Sequence, residues 1–410
     1  MRILAISAQK PDSTGSGVYL AETARSMANA GHDVMVVAGI DVADDPHLPE
    51  GVLFRPVRYN TEALPFNVCG MSDQMPYPST RYRDMNPEMV QSFSAAFAEA
   101  ALDACKDFEP DVVICHHLYL LASVVRAALP QARVYGVCHS TDLRQMRSHG
   151  LQRERIIAGV KALDGIFALH EEQKAEIVEV YGVDPGIVTI TGTGYNATIF
   201  HPGIHEIRKP YVFGDEFELV FVGKVCRSKG IFSLIRALDL IDPATLPVSV
   251  RLVGGHNSEE EYERIRALAA KSKHEIELTG VLSQENLVFA YQSAHAFVLP
   301  SFFEGLPLVL VEALACGCFA VCTDLPGVQP WIRENVPDAP VQFVELPAMQ
   351  GVDEPCADDL PGFESRLARA IEACAKSREA WDAANPGAQA CVTAQLSWRG
   401  LSTRILASME

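Results

Sequence analysis

Two carboxylates, Glu304 and Glu312, lie in the stretch PSFFEGLPLVLVEALACGCFAVCT, and Glu312 is the only charged side chain between Gly305 and Thr323. Taking an ionised carboxylate out of water costs roughly several kcal/mol even after relaxation. A chain keeps one in so apolar a run only where protein or ligand groups satisfy its lone pairs. Pro307 suits the first turn of a helix, Gly317 suits its C-terminal cap, and CFAVCT reads as a buried strand. Glu304 therefore falls before a helix and Glu312 inside it. A glycine-containing turn feeding a helix N-terminus favours an anion, and a phosphate ester bearing hydroxyls would satisfy both the helix end and the carboxylates. Pro307, Glu312 and Gly317 interrupt the apolar run before the roughly 20 residues a membrane span needs.

Other residues with chemical capacity sit after predicted strands. GKVCRSKG places Lys224 and Lys229 just beyond a buried strand, as point charges suited to phosphate. Gly15 and Gly17 follow the first strand and precede the first helix, where a missing Cβ lets backbone N–H groups approach a ligand. CHSTDL places His139 and Asp142 at the end of another strand, open to a general-base or a hydroxyl-binding role. No G-x-S-x-G turn occurs, so HSTD makes no hydrolase triad. TGTGYNA from Thr191 has dinucleotide-fingerprint spacing, but TIFHP follows where a helix should open, so it reads as a turn and leaves NAD-dependent oxidoreduction a distant alternative. His116 and His117 are adjacent, cannot share one strand face, and read as core or cleft histidines rather than a joint metal site. Cys316 and Cys318 lack a second pair at zinc spacing.

These residues need a scaffold of alternating strands and helices. MRILAIS, the helix YLAETARSMANAG and HDVMVVAG form a βαβ unit, and PDVVICHH, LYLLASVVRAAL, ARVYGVCHS, DGIFALH and a helix from Glu171 to Tyr181 continue it. Residues 40–86 read as an irregular insertion before a helix near Pro87 to Cys105. A second α/β set begins with ELVFVGKV and runs through GIFSLIRALDLI, VSVRLVGG, SEEEYERIRALAAKSK, EIELTG, ENLVFAYQSA and HAFVLPS. The expected class is α/β, two doubly wound domains meeting at a cleft by their strand carboxyl ends. The boundaries fall at residues 1–205, 206–392 and a closing helix within 393–410 anchored by Trp398.

The 410 residues are 48% hydrophobic with a formal net charge of −18, which opposes general binding to nucleic acid. One local exception is RQMRSHGLQRER, where Arg144, Arg147, Arg153 and Arg155 form either a solvated helix face or a contact for an anionic acceptor or membrane surface. Eleven scattered cysteines and a first apolar stretch too short for a secretory leader fit a reduced, cytoplasmic protein.

Together, EGLPLVLVE, GKVCRSKG, GSGVYLAETARSMANAGHDV and CHSTDL resemble family 4 of the retaining glycosyltransferases in residues, order and spacing. The resemblance covers the chain except near residues 45–90 and 345–362. It implies a GT-B fold, two Rossmann-like domains closing over a nucleotide-sugar, most often UDP-linked, with LSWRGLSTRIL similar to the helix that crosses back to the first domain. By resemblance, Glu312 would bind the nucleotide ribose, Glu304 the donor sugar, and the N–H groups around Gly305, Leu306 and Leu308 the diphosphate. Lys224, where arginine is commoner, and Lys229 would neutralise the leaving group, with Gly15 and Gly17 in support. His139 would contact a donor-sugar hydroxyl, and Asp142 would orient neighbours or the acceptor. No cofactor or metal is expected. The activity implied is transfer of a hexose or N-acetylhexosamine to a glycan, lipid or small-molecule hydroxyl with retained configuration. A retaining phosphorylase, a sugar-phosphate synthase or a non-catalytic sugar or nucleotide sensor on the same scaffold are the rivals.

Overall fold

A parallel strand covered on both faces must be apolar along its length, and RILAIS and DVMVVAGID meet that condition with nearly unbroken burial. The computed structural model describes residues 1–11, 13–46, 48–202, 211–384, 392 and 396–409. It divides into two units, Met1–Gly194 with Trp398–Glu410, and Tyr195–Ser397.

The first unit runs β1 (Arg2–Ser7), α1 (Gly15–Asn29), β2 (Asp33–Asp41), β3 (Val52–Tyr59), the short strands β4 (Cys69–Gly70) and β5 (Thr80–Arg81), α2 (Pro87–Phe108), β6 (Val112–His116), α3 (Leu120–Ala128), β7 (Val134–Val137), α4 (Thr141–Ser148), α5 (Arg153–Lys161), β8 (Gly165–Ala168), α6 (Glu171–Tyr181) and β9 (Val188–Ile190). Seven strands form a parallel sheet in the order β3-β2-β1-β6-β7-β8-β9. The winding reverses between β1 and β6, so a crevice is expected beyond the carboxyl ends of those two strands. Residues 40–86 are less irregular than expected, because VLFRPVRY is an eight-residue strand paired to β2. Pro56 and two arginines hide it in the sequence, and an edge strand tolerates all three.

The second unit runs β10 (Phe217–Val222), α7 (Ile231–Leu238), β11 (Val248–Val253), α8 (Glu259–Ala269), β12 (Glu275–Gly280), α9 (Gln284–Ser293), β13 (Ala296–Leu299), α10 (Leu308–Ala315), β14 (Phe319–Thr323), α11 (Val328–Asn335), β15 (Val341–Val344) and α12 (Leu360–Ala384). Its parallel sheet has the order β12-β11-β10-β13-β14-β15, with the reversal between β10 and β13. This is the Rossmann strand order.

The final helix, α13 (Trp398–Ser408), belongs to the first unit and packs on α1. Trp398 lies edge-on to Tyr19 with ring centroids 5.3 Å apart, and its backbone carbonyl accepts from Ser26 Oγ at 3.2 Å. A Cβ on Gly194 would stand 2.5 Å from the Trp398 ring, so the last glycine of TGTG is there to admit the indole. Thr191–Gly194 opens no helix, and the Thr191 carbonyl accepts from the Arg404 guanidinium at 3.0 and 3.1 Å. The expected boundary after residue 205 and the start of the expected closing helix at 393–395 lie outside the described residues. Tyr195–Pro202, assigned by sequence to the first domain, belongs with the second unit. There the Tyr195 N–H donates to the Leu396 carbonyl at 3.0 Å, and Gln292 Nε2 donates to the His201 carbonyl at 2.9 Å.

Trp398→Ala is expected to lower the stability of the first unit by about 3–5 kcal/mol, the usual range for deleting a large buried aromatic. Urea unfolding followed by circular dichroism should show that unit's transition moving to lower denaturant. A midpoint unchanged from the parent would contradict the packing role.

Candidate active site

In the second unit the turns leaving β10 and β13 are locked together by backbone. The Phe302 N–H donates to the Ser228 carbonyl at 3.0 Å, and Gly230 lies so close to Pro300 that an added Cβ would stand 2.0 Å from its carbonyl oxygen. Gly230 also has φ +71°, in the left-handed region that side chains resist. This docking brings two side chains 75 residues apart into contact, Lys229 Nζ and Glu304 Oε1 at 2.5 Å. Ser301 Oγ donates to the same carboxylate oxygen at 2.9 Å. The pair is mostly shielded, with side-chain exposures of 23% for Lys229 and 18% for Glu304, so it is held more firmly than a surface ion pair.

Lys224 lies on the same turn. Its ammonium is held below the usual lysine range, mainly by lost hydration and further by Lys229, while the thiol of Cys226 acts the other way. The residue as a whole remains exposed.

Gly305 and Leu306 lie in the turn before α10, and Leu308 is its first helical residue. Pro307 stands at the N-cap. At the other end Cys318 N–H donates to Ala313 O at 2.9 Å and Gly317 N–H to Leu314 O at 3.0 Å, the paired bonds of a Schellman cap. Glu312 is half-buried rather than fully buried. The hydroxyl of the buried Tyr291 on α9 donates to Glu312 Oε2 at 3.2 Å. Neither Tyr291 nor Ser301 was singled out from sequence. Ser301, three residues before Glu304, left a readable signal, whereas Tyr291 lies on a different helix and left none.

In the first unit the strand ends beside the β1/β6 reversal hold a ring cluster. His116 Nδ1 and His139 Nε2 are 3.1 Å apart, and His117 lies 4.6 Å from His139 between ring centroids. Tyr19 sits edge-on to both His116 and His139. Adjacent residues were expected to point to opposite faces, but His117 has φ +71°, which leaves the strand and turns its ring back towards His139. Burial drives the pKa values of His116 and His117 down to about 3, with the charge of His116 adding to the effect on His117. His139 is pushed well below the ordinary histidine value by burial, then by His117 and His116. All three rings are neutral at pH 7.

One sequence-based role is narrowed to its orienting alternative, and another changes. Asp142 is fully buried, which rules out direct acceptor contact; its carboxylate accepts from the N–H groups of Leu118 at 2.8 Å and His139 at 3.2 and 3.3 Å. It therefore orients the His139 loop, and burial raises its pKa against those hydrogen bonds. Gly17 is buried and spends its N–H on Thr14 Oγ1 at 3.1 Å, capping α1 itself rather than reaching a ligand. Gly15 opens the same helix with nothing near the place a Cβ would take. The basic run is largely engaged within the protein. Arg147 pairs with Glu176 at 2.8 Å, Arg153 bonds the Met146 carbonyl, and Arg155 donates to Ser94 Oγ at 3.2 Å. Arg144 lies on α4 beside them.

Gly230→Ala is expected to separate the two turns and cut turnover at least about tenfold, because the close approach and the positive φ both exclude a Cβ. Steady-state kinetics with a circular-dichroism check on folding tests this, and wild-type turnover would count against it. A second expectation concerns pH. The unfolded chain binds protons on the three histidines below about 6.5, while the folded protein does not until far more acid values. Stability should therefore fall as pH drops below about 6.5, with Asp142 offsetting part of the loss at more acid pH. The slope of the urea midpoint against pH should shrink by about one proton in His117→Gln; an identical slope would sink the assignment.

Two family models align with this architecture, "Glycosyltransferase Family 4" over residues 13–198 and "Glycosyl transferases group 1" over residues 204–342. The chain is 25% identical over 331 residues to a D-inositol 3-phosphate glycosyltransferase of Pseudarthrobacter chlorophenolicus, covering 77% of this chain and 76% of that protein. It is also 25% identical to a glycogen synthase of Mycobacterium tuberculosis, covering 80% and 79%. Among solved structures it superposes on sucrose-phosphate synthase of Thermosynechococcus elongatus with a TM-score of 0.68 at 19% identity, covering 99% and 98% of the two chains. Anabaena Alr3699/HepE, solved in complex with UDP and glucose, superposes with a TM-score of 0.69 at 14% identity, covering 100% and 99%. With the two family models together spanning most of its length and two Rossmann-like units of the GT-B fold, the chain belongs to the family 4, group 1 glycosyltransferases and is a transferase enzyme.

Proposed function

We propose that the protein transfers a sugar from a UDP-linked nucleoside diphosphate sugar to an acceptor hydroxyl with retention of anomeric configuration. The observation that carries this reading is the Lys229–Glu304 contact at the β10/β13 reversal, followed directly by the helix that bears Glu312. A diphosphate leaving group gains negative charge as the glycosidic bond breaks, and Lys224 and Lys229 supply fixed positive charge where that change occurs. The N-terminal end of α10, with Gly305, Leu306 and Leu308, offers backbone donors to the same phosphates.

Glu304 is suited to donor-sugar hydroxyls because one of its oxygens is already fixed by Lys229 and Ser301. Glu312, steadied by Tyr291, is suited to the two ribose hydroxyls. Neutral His139 fits a hydrogen bond to a sugar hydroxyl, and it takes no part as a general base whose conjugate acid must form readily. No protein nucleophile is invoked. We further propose that no divalent cation is required, since lysine ammonium groups and a helix end provide the charge a cation would otherwise bring.

The names of the relatives support the donor class: Alr3699/HepE is solved with UDP and with UDP-glucose, and the aligned relatives are named glycosyltransferases and synthases. We place the reaction in the reducing cytoplasm, a reading supported by cysteines that are free among the described residues. Among those residues no helix is long and apolar enough to cross a membrane.

A thermal-shift series with UDP, GDP, ADP, CMP and NAD, each with EDTA, should give a rise with one nucleoside diphosphate only. A rise with NAD alone would contradict the reading. In kinetics, Glu312→Ala is expected to weaken donor binding about tenfold or more, while Lys229→Ala lowers turnover by a larger factor than it raises KM. Affinity losses with unchanged turnover in Lys229→Ala would remove the leaving-group role.

A further inference from the structure

A pocket of about 120 Å³ lies in the second unit on the same turn that carries Lys229 but among different side chains, including Arg227, Phe232, Arg236, Glu261, Arg264 and Phe302. Its charge runs against the rest of the chain: three arginines and a single carboxylate line it in a protein of net charge −18. The carboxylate is already engaged, since Glu261 Oε1 accepts from the Arg227 backbone N–H at 3.1 Å. Arg236 pairs with Glu364 at 3.3 Å. The guanidinium of Arg264 lies 5.6 Å from the centroid of the Phe232 ring, a contact that leaves its charge unneutralised. Among the described residues, no ion pair involves Arg227 or Arg264.

We propose that this pocket binds a phosphoryl group, as inorganic phosphate or as the terminal phosphate of a small monoester. Planar guanidinium forks match phosphate oxygens two at a time, which a lysine or a water shell does not. The volume is well below the roughly 300 Å³ or more of ordinary ligand sites, so a nucleotide-sugar is too large and a single phosphoryl group fits. The site also has a route to the chemistry. Arg227 opens the one-turn helix Arg227–Lys229, and Phe302 is bonded through its N–H to Ser228 within that turn. A phosphate gripped by Arg227 would stiffen the segment that presents Lys229 to Glu304.

The test is titration of inorganic phosphate and of glucose 6-phosphate into the full chain at constant ionic strength, read by thermal shift and by isothermal calorimetry. Arg264→Gln, Arg227→Gln and Lys229→Ala are run beside the parent. Binding is expected in the parent, weakened about tenfold or more in each arginine variant and retained in Lys229→Ala. Loss in Lys229→Ala with retention in the arginine variants would mean that phosphate occupies the candidate active site, and would overturn the proposal. So would the absence of binding by either probe in the parent. A preference for glucose 6-phosphate identifies a monoester as the ligand, and equal binding identifies the phosphoryl group alone; both support the site. Arg264 and Arg227 lie on exposed positions, so both variants should keep the parent melting temperature without ligand, which separates lost binding from lost folding.

Discussion

The second unit depends on one backbone constraint, the docking of the turn after β10 against the turn after β13. Parallel strands deliver loops to a common edge but do not set how those loops touch. Here Gly230, lacking a Cβ, lies against the Pro300 carbonyl, and a single hydrogen bond from Phe302 to Ser228 fixes the register. Lys229 and Glu304 each sit within two residues of that contact, so their 2.5 Å approach follows from it. The Coulomb attraction of two shielded charges then reinforces a geometry that the glycine made possible. The order of causes matters: a salt bridge between long side chains could form in many arrangements, whereas a backbone contact with no room for a methyl group allows one.

The two units prepare their residues by opposite electrostatic means. The second gathers charge, with Lys224 and Lys229 on one turn, Glu304 against Lys229 and Glu312 on the helix that follows, and tolerates it because each carboxylate has a fixed donor, Ser301 and Lys229 for Glu304 and Tyr291 for Glu312. The first removes charge, because the three clustered histidines, two of them packed against Tyr19, are all held neutral by burial. A charged cluster suits a phosphate whose negative charge must be balanced. A neutral imidazole cluster suits hydroxyl groups, which need directional hydrogen bonds and no net charge.

The strands and the spacing of the carboxylates were legible because they rest on local rules. Continuous apolar runs identified the buried strands, and Pro307 and Gly317 marked the ends of the Glu312 helix in their expected order. What escaped was anything set by tertiary contact. The edge strand Val52–Tyr59 was masked by Pro56, which only its position at the sheet edge makes tolerable. Helix α12 and strand β15 went unread because their burial has no local signature as plain as that of β13 or β14. At the site, Lys229 and Glu304 were each identified, but their contact was not, since it depends on a glycine chosen for its neighbour's carbonyl rather than for a turn of its own.

The buried Asp142 shows how burial selects among the roles that residue type leaves open. Three residues after a histidine at a strand end, an aspartate reads as part of a general-base pair, as a handle for the acceptor or as an orienting group, and full burial selects the last. Its oxygens collect the N–H groups of Leu118 and His139 from the ends of neighbouring strands. Those amides belong to backbone that has left the sheet, where Ser140 and His117 both have positive φ. Such strained backbone persists only where surrounding groups over-determine it, and a buried carboxylate able to accept several N–H groups at once does so. Asp142 is thus to the first unit what Gly230 is to the second: a residue whose contact with neighbouring backbone fixes the geometry of the turn around it.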